Sequence, residues 1–189
     1  MEIPHYADVR IGVLFFLKNH RPGGINNLVG AGLATVSMST SYPPIPIVRR
    51  LSEYWWDGAV DPWYGDVGAI RSGKYIYAYG HARSNPFVYL ARVKVGEVKR
   101  LECYEYWNGA GWQREKLQNY GEKEGVFWQV NQGQVVWSNY WNCFLFVYCG
   151  VPLLSSRIEG VLPLISTGRQ LDEQQSPSEM VCTTRRTLV

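Results

Sequence analysis

A unit of about fifty residues recurs in this chain, and that recurrence limits the possible fold more than any other feature. Residues 48 to 58 read VRRLSEYWWDG, and Trp107-Asn108-Gly109 follows Trp56-Asp57-Gly58 by fifty-one residues, closing the run VKRLECYEYWNG. Leu33-Ala34-Thr35-Val36 returns as Leu90-Ala91-Arg92-Val93, fifty-seven residues on. Repeats of this length, built from alternating aromatic and β-branched strands, are the pattern of a propeller rather than of a single sandwich. The clearest unit spans residues 64 to 116, with four short strands expected at 64 to 70, 74 to 79, 88 to 95 and 101 to 112. Incomplete copies flank it, with strands expected at 12 to 18, 31 to 38 and 48 to 56 before it, and at 126 to 136 and 142 to 148 after it. The fold expected is all-β: an incomplete β-propeller of about two to three blades, each an antiparallel four-stranded sheet.

The alternation within the central unit explains why its sheet needs cover on both sides. Tyr75, Tyr77 and Tyr79 share one face of their strand and Ile76 and Ala78 the other, so neither face is polar. A strand of this kind fits between two neighbouring sheets. Ser72-Gly73 is the hairpin signal that precedes it.

All eight Trp, 13 Tyr and six Phe residues precede Gly150. Residues 1 to 150 are therefore read as a partial propeller domain. Residues 151 to 189, rich in Ser, Gln, Thr and Arg without a period, are read as a non-matching and largely disordered tail. The run at 161 to 165 could add a short edge strand, although Pro163 weighs against it.

Charge and motifs exclude several classes. A net charge of +3, with basic and acidic residues interspersed, gives no electrostatic footprint for nucleic acid. No apolar run approaches the roughly 20 residues of a membrane-spanning helix, and no signal peptide is visible. With no CxxC and no HExxH, neither a metal nor a cofactor is expected, and the four cysteines read as buried thiols.

Several spaced motifs occur in order: WYGDVGAI (63 to 70), KYIYAYGH (74 to 81), VYLARV (88 to 93), YEYWNGAGW (104 to 112) and FWQVNQGQVVW (127 to 137). Together they resemble uncharacterised five-bladed propeller proteins that carry a domain of unknown function and are related to the endo-D-arabinanase glycoside hydrolases. The resemblance covers about residues 11 to 149 and makes the chain look like a partial, truncated copy. It implies an extracellular protein whose partner is a polysaccharide or oligosaccharide such as arabinan, with a site in the funnel at the propeller axis.

Glycoside hydrolysis requires two carboxyl groups flanking the scissile bond. Asp66, at the entry to the inner strand of the central unit, and Glu124, just before the next inner strand, occupy equivalent places and are the candidate catalytic pair. His81 follows the second strand and is expected beside Asp66, as an acid, a base modulator or a hydroxyl donor. Gln129, Asn131, Gln132 and Gln134 make an amide-rich inner strand suited to sugar hydroxyls. Trp63, Trp128 and Trp137 are candidate stacking platforms. Asp57 and Asp61 are read as turn residues. Two functions remain open at this level: a glycoside hydrolase impaired by truncation, and a carbohydrate-binding or inactive propeller fragment.

Overall fold

The computed structural model describes residues 11–83, 85–128, 130–140, 143–150 and 161–164, with the side chains of residues 131, 149, 150 and 161–164 left aside. Within them the chain is all-β, built from three antiparallel sheets in sequence order. Strands β1 (Gly12–His20), β2 (Asn27–Met38), β3 (Pro46–Arg50) and β4 (Trp56–Asp57) form the first. β3 and β4 share one edge of β2 and act as a single interrupted strand. Between them the N–H groups of Leu51 and Trp55 still donate to Leu33 O at 3.1 Å and Ala31 O at 2.8 Å.

The second sheet is the central unit. β5 (Gly68–Ser72), β6 (Tyr75–His81), β7 (Phe87–Lys94) and β8 (Glu105–Trp107) pair in the order read from the sequence. Gly73 makes the first hairpin at φ 54°, a conformation that side chains disfavour. The sheet is nevertheless larger than four strands. The expected fourth strand splits, because Asn108 Oδ1 accepts the N–H groups of Ala110 and Gly111 at 3.0 and 2.9 Å and turns the chain into β9 (Trp112–Gln113). β10 (Phe127–Trp128) then adds to the same edge of β7 beyond β8.

The third sheet comprises β11 (Val130–Ser138), β12 (Cys143–Gly150) and β13 (Val161–Leu164). β13 falls on the run at 161 to 165, where Pro163 weighs against a short edge strand. Pro163 is tolerated because β13 pairs with β12 on one side only among the described residues, and an edge strand needs its N–H groups on one side alone. The remainder of the expected tail, residues 151–160 and 165–189, lies outside the described residues, as does the expectation that it is disordered.

Burial on both faces of the middle sheet holds the three together. Ala78, Tyr89, Ala91 and Val93 pack with Ala31, Leu33 and Trp56 of the first sheet. Tyr75, Tyr77, Tyr79, Val88, Leu90 and Trp107 pack with Val130, Val135 and Phe146 of the third. The repeated residues therefore face the same way: Leu33 and Trp56 look from the first sheet to the second, and Leu90 and Trp107 from the second to the third. Aromatic contacts span both junctions. Trp56 donates Nε1–H to Tyr106 Oη at 3.2 Å, and Phe127 stacks on Phe146 at 5.2 Å between ring centres.

Arg92, in the middle of the apolar face of β7, is held by ring faces and one carboxylate. Its guanidinium lies 4.0 Å from the centre of Trp112 and 4.5 Å from that of Tyr75, and its Nε–H donates to Glu105 at 2.7 Å. Buried arginine survives in such a place only when paired in this way.

Gly80 marks the tightest crossing. A Cβ there would lie 2.5 Å from the backbone of Trp63, and backbone held by Trp63 N–H to His81 O (2.7 Å) cannot yield cheaply. Gly80→Ala is expected to destabilise the fold by about 2 kcal/mol, read as a lower urea midpoint at unchanged m-value. An unaltered midpoint would show that the Trp63 segment moves freely.

Candidate functional site

The loops that carry the candidate residues gather at one end of the sheets. Residues 58–67 connect β4 to β5, residues 82–86 connect β6 to β7, and residues 114–126 connect β9 to β10. Arg83 ties the first two to the start of β2: it donates to Gly58 O at 3.3 Å, Asn27 Oδ1 at 3.3 Å and Leu28 O at 3.1 Å. Asn85 fastens the third by donating Nδ2–H to Tyr120 O at 2.8 Å. Neither residue stood out in the sequence, since the partners are mostly backbone carbonyls far away in the chain.

Asp66 and His81 meet, as their positions at the start of β5 and the end of β6 suggest. Asp66 Oδ1 accepts the His81 backbone N–H at 3.1 Å, and Oδ2 lies 3.0 Å from His81 Nδ1. The other ring nitrogen, Nε2, lies 2.7 Å from the carbonyl oxygen of Val130. A carbonyl oxygen and a carboxylate only accept, so the arrangement favours the cationic imidazole, in which both ring nitrogens donate. Burial opposes that charge, but the hydrogen bond and charge of Asp66 together with the Val130 carbonyl outweigh it and raise the His81 pKa above its ordinary value. The two side chains are 17% and 7% exposed, so solvent screens the pair weakly.

The arrangement is a latch. Asp66 precedes the second sheet, His81 ends that sheet's second strand, and Val130 begins the third sheet, so one ring pins three elements. A second bond runs alongside it, from Gly133 N–H to Val67 O at 2.9 Å.

The structure holds Glu124 by other means. Its carboxylate accepts the N–H of Gly121 at 3.1 Å and closes its own turn, so its contact partner is Gly121 and that of Asp66 is His81. Trp63 is half-buried against the core of the first junction, with Nε1–H donating to Gly58 O at 3.3 Å, and is a packing residue. Trp128 differs sharply, with 60% of its surface exposed on the short strand β10. Trp137 is partly exposed, edge-on to Phe144, and donates Nε1–H to Asn139. Gln132 and Gln134 are exposed on β11. Gln129 lies outside the described residues, as does the side chain of Asn131.

Asp57 and Asp61 act in their turn, as expected. Asp57 Oδ1 accepts the N–H of Ala59 at 2.9 Å, and Asp61 Oδ2 accepts the N–H of Asp57 at 3.0 Å. Asp61 has a second, unforeseen role: it is buried and accepts Lys116 Nζ at 2.6 Å, fifty-five residues away. Around it lie the phenols of Tyr64, Tyr106 and Tyr120. Burial pushes Tyr106 up to about 12 and raises Tyr64 and Tyr120 as well, so all three remain neutral at ordinary pH. Among the described residues, no group of three or more His, Cys, Asp or Glu side chains is placed to hold a metal ion.

No family model matches the chain, and a search of curated proteins finds no match.

Because the folded pKa of His81 is raised, its contribution to stability is complete at low pH and is lost as pH rises through that pKa. His81→Ala is expected to cost about 2 kcal/mol at pH 6, in line with hydrogen bonds to a charged group, and distinctly less above pH 8. Urea unfolding at the two pH values measures the difference. An equal loss at both would mean that the ring keeps one charge state across this range.

Proposed function

We propose that this chain is part of a β-propeller that binds carbohydrate without cleaving it. Two features support the propeller reading. Each repeated Leu and Trp faces forward onto the following sheet, as successive blades of a wheel do, whereas the two sheets of a sandwich face each other. The leading strands also run close together, with Val67 just before β5 bonded to Gly133 of β11.

The state of Asp66 carries the non-catalytic reading. Both of its oxygens are taken by His81, and the imidazolium neutralises its charge, while Glu124 is bound within its own turn. A general acid or nucleophile needs a carboxyl group with an oxygen facing the scissile bond, and a second one at a fixed separation. What remains open to a sugar is the exposed indole of Trp128. An aromatic face for stacking suits a polysaccharide or oligosaccharide, and we take it to act outside the cell as the resemblance implies. The hydrolase reading draws its support from the same carboxylate–imidazole pair, placed at the loop end of the sheets.

Two substitutions separate the readings. With arabinan as the probe, Trp128→Ala is expected to weaken retention in affinity electrophoresis by about tenfold, the loss of one stacked aromatic. The unaltered protein is expected to release no reducing sugar. Release that disappears in Asp66→Asn would replace the binding reading with the hydrolase one, and undiminished retention by Trp128→Ala would remove the platform.

A further inference from the structure

The outward face of the first sheet has the residues of a buried junction. In Leu33-Ala34-Thr35-Val36 and Leu90-Ala91-Arg92-Val93 the leucine points forward, and the alanine and valine point back. In the middle sheet the backward pair, Ala91 and Val93, is 0% and 1% exposed beneath the first sheet. The equivalent pair in the first sheet, Ala34 and Val36, points away from the middle sheet. Val36 stands in a cross-strand row with Gly12 and Val48, and Ala34 in a row with Leu14 and Arg50. Leu14, Met38 and Val48 on this face are 48%, 55% and 56% exposed. Ala34 is itself only 1% exposed, so it is the surround of Leu14, Met38 and Val48, rather than the repeated alanine, that lies open on this face.

The repeat also specifies the kind of surface that covers such a face: the forward face of a preceding sheet. Among the described residues, the forward face of the third sheet, with Gln134, Val136 and Val147, has no following sheet upon it. On it Val147 is 39% exposed, while Leu145, opposite Val136, is 9% exposed. That face carries no basic residue at its described positions on β11 and β12, whereas the backward face of the first sheet carries Arg50 over the ring of Phe16. Pairing two copies of the backward face with each other would bring like charges together. Pairing backward face with forward face avoids this.

We infer that the backward face of the first sheet is an interface for a second copy of this chain, engaged head to tail by the forward face of its third sheet. The inference rests on the propeller reading. Contacts of this type are heterologous, so they close into a ring where the rotation permits and otherwise continue as an open assembly.

The test uses the full chain and light scattering coupled to size exclusion across a wide concentration range. The unaltered protein is expected to self-associate. Leu14→Glu and Val147→Lys, each alone, are expected to weaken association by about tenfold, with melting curves unchanged. The chain carrying both substitutions is expected to regain it, because the new charges meet across the interface. A monomer at every concentration overturns the proposal, as does association unaffected by Leu14→Glu. Sensitivity to Leu14→Glu without sensitivity to Val147→Lys overturns the head-to-tail arrangement. None of these outcomes alters the order of sheets within one chain.

Discussion

The middle sheet has no polar face, and the rest of the molecule follows from that. A β-strand shows alternate residues to opposite sides, so a strand such as Tyr75–His81 that is apolar at every position but its last cannot sit at a protein surface. It must be covered twice. The first sheet covers Ala78, Ala91 and Val93, and the third covers Tyr75, Tyr77 and Tyr79. Charged groups enter this interior engaged, as with Arg92 between two rings and Asp61 against Lys116, whereas the Tyr64 hydroxyl and the Trp112 Nε1–H are buried without a hydrogen-bond partner among the described residues.

This constraint also explains where the loops end up. Strands pressed between neighbours can extend only at their ends, so the connections after β4, β6 and β9 project from one end of the stack and bind one another there. Arg83 and Asn85 do this through carbonyl oxygens, and His81 does it by spanning from a carboxylate to a carbonyl. A ring held by two acceptors contributes rigidity, and rigidity is what a binding surface needs around it.

The strand order and the two-sided middle sheet were legible in the sequence because alternation is local: Tyr75 to Tyr79 shows it within five residues. The Asp66–His81 contact was legible too, since a hairpin brings the start of one strand beside the end of the next. The partner on the far side of the imidazole was not. Val130 contributes only its carbonyl, which every residue has, and it lies forty-nine residues away. Lys116 and Asp61 are hidden in the same way, as two charges among many until the fold brings them together. β13 was obscured because Pro163 argues against a strand locally, while the sheet edge that accepts it is a tertiary property. Glu124 was paired with Asp66 on the strength of the repeat. The spacing gave its position before β11 but not the turn that takes up its carboxylate.

Leu33 and Leu90 look in one direction along the series, and this gives the architecture a property that a two-sheet sandwich lacks. Both junctions present a leucine and a tryptophan of one sheet to the back of the next, while the residues they meet differ, so an added unit would find the same forward residues at each seam and need new matches only on the opposite side.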